Sequence, residues 1–239
     1  MARRTTIINT KLEIIQVAAH LFLTEGYANT SVTKIANKLG ISLGNLTFHF
    51  PTKEHLLVEI ITLLCEYQHM VLEQEVEGGK TTLLAYLLEL TSMMSICEEN
   101  DIIRDLYVSA YIHPLSLELI RKSDTIKARK IFAEYQPDWT EEDFAAEENI
   151  VSGIEYALMC KENARDIPLE KRITGMLEAV MKLYGVPKDK RKRKIEQIHS
   201  MDYRRIGRRF ADGFAKFVNE KNVKALEEIV EKQRGDEDA

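Results

Sequence analysis

The 239-residue sequence has few of the residues that interrupt regular structure, with only 11 glycines and 5 prolines. No segment alternates convincingly between apolar and polar residues with the period of a strand, and helix formers are abundant. Helical patterns are instead separated by isolated breakers such as Pro114, Pro137 and Pro168. The sequence therefore predicts an all-α protein.

Long apolar runs are missing as well. None approaches the roughly 20 residues that a membrane-spanning helix needs. Residues 1–10 contain no apolar core followed by a cleavage site. We therefore expect a cytoplasmic protein without membrane contact.

Cysteine is scarce, and the usual catalytic motifs are absent from the sequence. Cys65, Cys97 and Cys160 are widely separated and lack partners at zinc-ligand spacing, so they are interpreted as reduced thiols. There is no phosphate-binding glycine loop, no nucleophile elbow and no His pair with a neighbouring Glu on a helix face. The sequence thus predicts no catalytic residue, no metal and no cofactor, and it argues against an enzyme.

The formal net charge of −5 hides an uneven distribution. Residues 1–53 contain six basic and two acidic residues, so this segment carries a charge of +4 and the remainder of the chain carries −9. A basic amino-terminal segment on an acidic remainder is what a protein needs when only one end meets a polyphosphate. The charge pattern therefore favours a nucleic-acid partner at the amino terminus.

Three helices are predicted before residue 51. The Thr10 and Glu13 pair has the spacing of a capping box, so the first helix is expected to start near Thr10 and to stop at Gly26. Thr30 or Ser31 is expected to cap the second helix, which stops at Gly40.

Ser42 is expected to cap the third helix, which Pro51 closes, and Thr52 to cap a long fourth helix running to about Glu77. Because the turn between the second and third helices is short, these two form a helix-turn-helix.

Residues 10–57 resemble the DNA-binding domain of the TetR family of bacterial regulators. The resemblance rests on many fixed spacings, which lie in four groups along the segment. They are Ala18, Ala19, Leu21, Phe22, Glu25, Gly26 and Tyr27; Thr30, Ser31, Val32, Ile35 and Ala36; Leu39, Gly40, Ile41 and Ser42; and Gly44, Leu46, His49, Phe50, Lys53, Glu54, Leu56 and Leu57.

The resemblance implies a helix-turn-helix domain over residues 1–53 and a helical ligand-binding and dimerisation domain over residues 54–239. It also implies a homodimer that binds double-stranded DNA at a palindromic operator and a small-molecule effector that releases it. Helices within residues 144–160 and 169–184 are the expected dimer interface. Thr47 stands where the family usually has a phosphate-contacting Tyr, and Leu43 where it often has a basic residue, so the chain departs from the family at both phosphate contacts.

The third helix, residues 43–49, is interpreted as the recognition helix. The Asn45 amide has the groups to pair with adenine in the major groove, although an exposed Asn is also an ordinary solvated residue. Phe48 either contacts a thymine methyl or packs on the first helix. Residues at helix starts favour phosphate oxygens. The complete candidate set is Arg3, Arg4, Thr30, Ser31, Ser42, Leu43, Gly44, Asn45, Thr47, Phe48, His49 and Lys53, with Arg3 and Arg4 on a flexible arm.

Aromatic residues scattered over several later helices are candidates for an effector cavity, although each is also suited to an ordinary core. Three polar residues near them complete the set. The ligand-binding candidates are Arg104, Tyr107, Tyr111, His113, Phe132, Tyr135, Trp139, Phe144, Glu155 and Tyr156.

Alternatives remain open at this stage. The basic residues within 188–209 form either a solvated face or a second nucleic-acid contact. A ligand-independent DNA organiser or adaptor on the same scaffold, or an all-helical enzyme or lipid carrier, would also fit the helical pattern.

Overall fold

The computed structural model describes residues 2–76, 82–160 and 166–237, with side chains for residues 9–76, 82–160, 166–225 and 227. Within these ranges the protein consists of eleven α-helices, as the sequence predicts. They are α1 (Ala2–Glu25), α2 (Val32–Leu39), α3 (Leu43–His49), α4 (Lys53–Glu75), α5 (Leu83–Glu99), α6 (Asp101–Ile112), α7 (Pro114–Phe132), α8 (Glu141–Met159), α9 (Leu169–Leu183), α10 (Lys188–His199) and α11 (Tyr203–Glu237).

The helices α1 to α3 form a head around a small apolar centre. Ile15, Ala19 and Phe22 of α1 are buried, and their spacing of three and four residues places them on one side of the helix. Gly26 and Gly40 follow α1 and α2 with φ values of 89° and 67°. A glycine takes this left-handed conformation without a Cβ penalty, so both predicted helix ends are confirmed.

The predicted start of α1 is wrong. The helix already begins at Ala2, and Thr10 lies inside it rather than at its cap. The physical reason is that residues 2–9 contain neither Gly nor Pro, so nothing stops the helix from extending toward the amino terminus. The same finding corrects the flexible arm proposed for Arg3 and Arg4, whose backbone is helical; their side chains lie outside the described part.

The remaining helices form a body around one apolar core. α4 links head and body, and among the described residues it is the one helix with the length and composition of a membrane span. Half of that segment is buried inside the molecule, as in a core helix.

The long helix α11 packs against α1, α4 and α5, so it touches the head as well as the body. Asn222 donates a hydrogen bond to the Leu12 carbonyl of α1 at 2.9 Å. Tyr67 of α4 donates one to the Arg209 carbonyl at 3.0 Å.

Candidate DNA-binding surface and effector cavity

A short-range side-chain cap begins each of the two helices α2 and α3. The Ser31 hydroxyl oxygen accepts from the Lys34 amide at 3.1 Å, and the Ser42 hydroxyl oxygen accepts from the Asn45 amide at 3.1 Å. These contacts satisfy backbone donors that a helix start leaves free. The caps therefore fix where α3 begins relative to α2.

α3 has one buried side and one exposed side. Leu46 is completely buried and anchors the helix. Leu43 and Phe48 are 45% and 71% exposed although both are large apolar residues, and Gly44 and Asn45 are exposed as well. Of the two positions considered for Phe48, the structure shows the outward one, so α3 presents an apolar and an amide group to whatever binds there.

Two further α3 candidates are partly engaged within the protein. The Thr47 hydroxyl bonds to the carbonyls of Leu43 at 3.0 Å and Gly44 at 3.2 Å. His49 is half-buried beside the Phe48 ring, at a centroid distance of 5.2 Å. Burial and the neighbouring Lys11 charge lower the pKa of His49, which favours its neutral form.

The candidates at helix starts separate into two groups. Ser31 and Ser42 are exposed, so capping leaves them accessible. Thr30 is completely buried and donates its hydroxyl to the Gly26 carbonyl at 2.8 Å. The Thr30 side chain is therefore neither the cap of α2 nor accessible to a phosphate, because the chain turns inward one residue before the cap.

Lys53 contacts the Tyr27 residue of the head. Its ammonium lies 3.8 Å from the centre of the Tyr27 ring and donates to the Tyr27 carbonyl. Burial lowers the pKa of Lys53, partly offset by Asp105. The side chain is only half-buried, so it remains within reach of the surface around α3.

Two contacts join the head to the body near α6, and a third joins the start of α4 to α7. Asp105 accepts a hydrogen bond from the Ala28 amide at 2.8 Å. Glu54, at the start of α4, accepts one from the Leu115 amide at 2.7 Å. The rings of Tyr27 and His113 meet edge to face with centroids 5.2 Å apart, so His113 lies at this junction rather than in a ligand cavity.

A small cavity of about 40 Å³ lies in the body between α4, α5, α6, α7 and α8 and is partly open to solvent. Each of the five helices contributes to its wall. The lining residues are Ile61, Leu64, Cys65, Gln68, Tyr86, Glu89, Leu90, Met93, Tyr107, Ala110, Tyr111, Ile120, Asp124, Lys127 and Glu155.

Three of the ten predicted ligand residues line this cavity, namely Tyr107, Tyr111 and Glu155. Tyr107 accepts a hydrogen bond from the buried Gln68 amide at 2.7 Å. Tyr111 donates to the Glu155 carboxylate at 2.5 Å.

The remaining predicted aromatic residues do not line the cavity. Phe132 stacks on Tyr184 at 4.2 Å and Trp139 meets Phe144 at 5.2 Å, so these rings form a separate core cluster. Tyr135 also contacts Phe132, at 6.4 Å.

Two further candidates lie elsewhere. Arg104 bonds to the Cys97 carbonyl and pairs with Asp101 of its own helix. Tyr156 lies on the exposed side of α8.

Sequence reasoning missed the charged part of the cavity wall. Glu89, Asp124 and Lys127 line it, and Glu148 lies behind it on α8. The available signal was their spacing, because Glu148 and Glu155 are separated by two helical turns and fall on the buried side of α8 together with Phe144 and Val151.

The ionisation of this wall departs from that of exposed acids. Burial and the other acids raise the pKa of Glu148 to about 10 and that of Glu155 to about 8. Burial also raises the pKa of Asp124. Burial lowers the pKa of Lys127, but Asp124 and Glu89 outweigh this and hold it well above its ordinary value.

The basic residues within 188–209 are largely occupied by acids of the body. Arg204 pairs with Glu99 and Glu170 at 3.0 and 2.9 Å, and Arg191 pairs with Glu178 at 2.8 Å. Arg205 and Arg209 both pair with Glu75, and Arg208 pairs with Glu99. Of the two interpretations of this stretch, these contacts favour a face that holds α10 and α11 to the body.

Comparison with known proteins identifies the head. Residues 14–60 match the bacterial regulatory proteins of the tetR family. Over 56 residues the chain is 41% identical to the HTH-type transcriptional regulator QacR from Staphylococcus aureus. This match covers 23% of the chain and 30% of QacR, so the chain spans less than a third of this relative.

Solved structures resemble the chain over a larger part of its length. The crystal structure of a gamma-butyrolactone receptor, an ArpA-like protein, is 20% identical, with a TM-score of 0.40 and coverage of 88% of this chain and 98% of that one. Salmonella enterica GusR is 23% identical, with a TM-score of 0.43 and coverage of 73% and 95%.

Proposed function

We propose that the chain is a transcription repressor of the tetR family of bacterial regulatory proteins, whose model its residues 14–60 match, and that a small-molecule effector releases it from a palindromic operator. The observation that carries the proposal is the outward side of α3. Asn45 and Phe48 point away from the protein there, while the buried Leu46 holds the helix in place. A short helix that is held by one buried side and exposes the other side to solvent fits the major groove.

The proposed DNA contacts fall into base-reading and phosphate-binding groups. Asn45 pairs with a base edge, while Leu43 and Phe48 contact thymine methyls beside it. The phosphate contacts come from the exposed starts of α2 and α3, at Ser31, Ser42 and the Gly44 backbone, and from the half-buried Thr47, His49 and Lys53. Arg3 and Arg4 of α1 extend this set, while Thr30 is not part of it.

We place the dimer interface on α8 and α9. One recognition helix contacts only a few base pairs, so two must bind together, as in a two-fold dimer on adjacent major grooves. Ile150 and Tyr156 of α8 are 50% and 37% exposed, and Gly153 lies exposed between them. A helix face with exposed apolar residues and a small residue at its centre suits close packing against a second copy.

The effector cavity is connected to the head by two helices. α4 lines the cavity with Ile61 and Gln68 and begins at the head, while α6 lines it with Tyr107 and Tyr111. α6 also carries Asp105, which holds the Ala28 amide of the head. An effector that moves α4 or α6 therefore changes the position of α3, and ligand and DNA binding are reciprocally coupled.

Duplex binding at varied salt concentration tests the proposal. We expect purified protein to select a near-palindromic sequence from a random duplex pool and to bind it with an affinity that falls steeply with salt. Lys53→Ala should weaken binding to all duplexes similarly and reduce the salt slope by roughly 1, whereas Lys130→Ala, on the exposed side of α7, should leave both unchanged. If the protein showed salt-sensitive binding to no duplex at all, a DNA-binding function would be contradicted.

A further inference from the structure

The cavity wall formed by α7 and α8 concentrates carboxylates. Asp124, Glu148 and Glu155 each bring a carboxylate oxygen within 4.8 Å of the other two. Glu89 of α5 adds a fourth carboxylate to the same cavity. Carboxylates this close repel one another when ionised, and burial increases that repulsion. The arrangement therefore needs protons or cations.

Lys127 neutralises only part of this charge. Its ammonium lies 3.0 Å from Glu89 and 3.0 Å from Asp124, between the two carboxylates. Glu148 and Glu155 have no ion pair among the described side chains; their hydrogen-bond partners are Tyr184 at 3.0 Å and Tyr111 at 2.5 Å.

Two buried polar atoms beside these acids have no hydrogen-bond partner. They are the Oε1 atom of Glu148 and the hydroxyl of Tyr86. Glu148 is completely buried, and Tyr86, which is 2% exposed, lines the cavity. Buried polar atoms are ordinarily hydrogen-bonded, so two unpartnered oxygens beside one acidic cavity indicate a ligand with a polar group.

The rest of the lining is apolar and aromatic. Ile61, Leu64, Leu90, Met93 and Ile120 cover most of the surface that faces the acids. The rings of Tyr86, Tyr107 and Tyr111 are also available to a cation or to an apolar body. A bare metal ion would leave this apolar surface unused and would have Lys127 as a neighbour.

We propose that the effector is a small organic cation, a protonated amine on a short apolar body, whose ammonium group donates to Glu155 and the Tyr86 hydroxyl, in front of Glu148. This inference rests on the proposed function, since it names the ligand class of the same regulatory cavity.

When no cation is bound, protons neutralise the carboxyls of Glu148 and Glu155. Because burial raises the pKa of Glu148 to about 10 and that of Glu155 to about 8, both carboxyls hold protons at neutral pH. An incoming ammonium group carries one positive charge and replaces one proton, that of Glu155, while Glu148 keeps its own. Binding therefore releases up to one proton and tightens as pH rises from 6 to 8. The titratable groups that face the pair are His69 of α4, Tyr86 and Glu89 of α5, Tyr111 of α6, Asp124 and Lys127 of α7, and Tyr184 after α9.

Calorimetric titration of the full-length protein with matched pairs tests the proposal. Each pair is a primary alkylamine, from methylamine to butylamine, and the alcohol of the same skeleton, since the cavity measures only about 40 Å³. We expect at least one amine to bind 10-fold or more tightly than its alcohol. Titrations in two buffers with different ionisation enthalpies should also show proton release with the amine alone.

Substitutions connect binding to the named acids. Glu155→Gln should weaken the amine 10-fold or more and reduce proton release, while Glu142→Gln, in the exposed first turn of α8, should change neither. Glu148→Gln provides the same comparison should Glu155→Gln fail to fold, as judged by circular dichroism. Amines that bind no better than their alcohols, or equally well to the Gln variant, would overturn the proposal. The proposal would also be overturned if manganese chloride, added to the protein as the only ligand, bound to the carboxylates and then prevented the amines from binding.

The outcome is separable from that of the proposed function. If the protein binds an operator but shows no preference for amines, the proposed regulatory function stands and the proposed class of effector is wrong. Amine binding that leaves operator affinity unchanged keeps the cation site and removes the regulatory coupling.

Discussion

The helices α3 and α8 depart from ordinary burial in opposite directions. α3 exposes the large apolar side chains Leu43 and Phe48, whereas α8 buries the carboxyls Glu148 and Glu155. Neither arrangement is favourable in isolation. The exposed apolar side chains of α3 remain in contact with water, and the carboxyls of α8 lose their hydration when they are ionised and buried. Each becomes favourable when a complementary partner binds, base edges in one case and a cation in the other.

The comparison also shows which departures carry information. The basic residues of α10 and α11 are a more obvious feature of the sequence, yet most are paired with acids of the body. Glu148 Oε1 and Phe48 have no such partners within the described chain. Missing complementarity, rather than charge or hydrophobicity alone, marks the two candidate sites.

The largest expected effect separates the two sides of α3. Leu46→Ala should lower the free energy of unfolding by about 2–5 kcal/mol, since it leaves a cavity in the centre of the head. Phe48→Ala should change it by less than about 0.5 kcal/mol because the ring is exposed, yet should weaken operator binding. Urea denaturation and fluorescence anisotropy measure the two effects. Equal destabilisation by both variants would mean that Phe48 packs inside the protein in solution.

The next effect concerns sequence discrimination by α3. Asn45→Ala should reduce preference at one operator position by about 1–3 kcal/mol, because a bidentate amide–adenine pair is lost. Competition binding with operators mutated at single positions measures this preference. An unchanged preference at every position would remove Asn45 from the base-reading group and with it the assignment of α3.

The acids of α8 predict the pH dependence of stability. Glu148 has its pKa raised from 4.5 to about 10 in the folded protein, so the folded state binds more protons than the unfolded state between these values. Its contribution to stability therefore falls as pH rises through this window. Glu148→Gln should make the decline between pH 6 and 9 shallower, by up to about 1.4 kcal/mol per pH unit. Urea midpoints across this range measure the slope, and parallel curves for the two proteins would contradict the burial of this carboxyl.

The smallest effect concerns the junction that separates the two sites. Asp105→Ala removes the acceptor of the Ala28 amide and should lower stability by about 1 kcal/mol. If this contact transmits the effector signal, the variant should keep operator affinity in the absence of effector but respond less to it. Asp138→Ala, an exposed residue before α8, is the matched control. An unaltered response would place the coupling in α4 alone.

Local features of the head were predictable because they depend on neighbours in sequence. Ser31, Ser42 and Thr52 cap their helices as expected, since a hydroxyl and the amide three residues later are brought together by the turn itself. The prediction that α1 starts near Thr10 was wrong. A capping pair favours a helix start, but it does not prevent the preceding residues from being helical. Thr30 and Ser31 were equivalent in the sequence, and only packing buried one of them.

The cavity was less predictable. The aromatic residues were expected to line it, but Phe132 and Phe144 fill the core instead. Periodicity shows that such a residue faces inward, yet it does not show whether a cavity or another ring lies opposite. Of the acids on α7 and α8, Glu155 was among the candidates, whereas Asp124 and Glu148 were not, because a sequence pattern does not show which helix lies opposite each carboxyl.

By itself the sequence determined the helical class, the limits of α2 and α3, and the outward-facing Asn45, because caps, glycines and apolar spacing act over a few residues. Only the tertiary structure decided that Asp124, Glu148 and Glu155 share one buried site, and that Asp105 of α6 holds the head. These groups lie on different helices or on successive turns, and their proximity arises from helix packing, which no local pattern encodes.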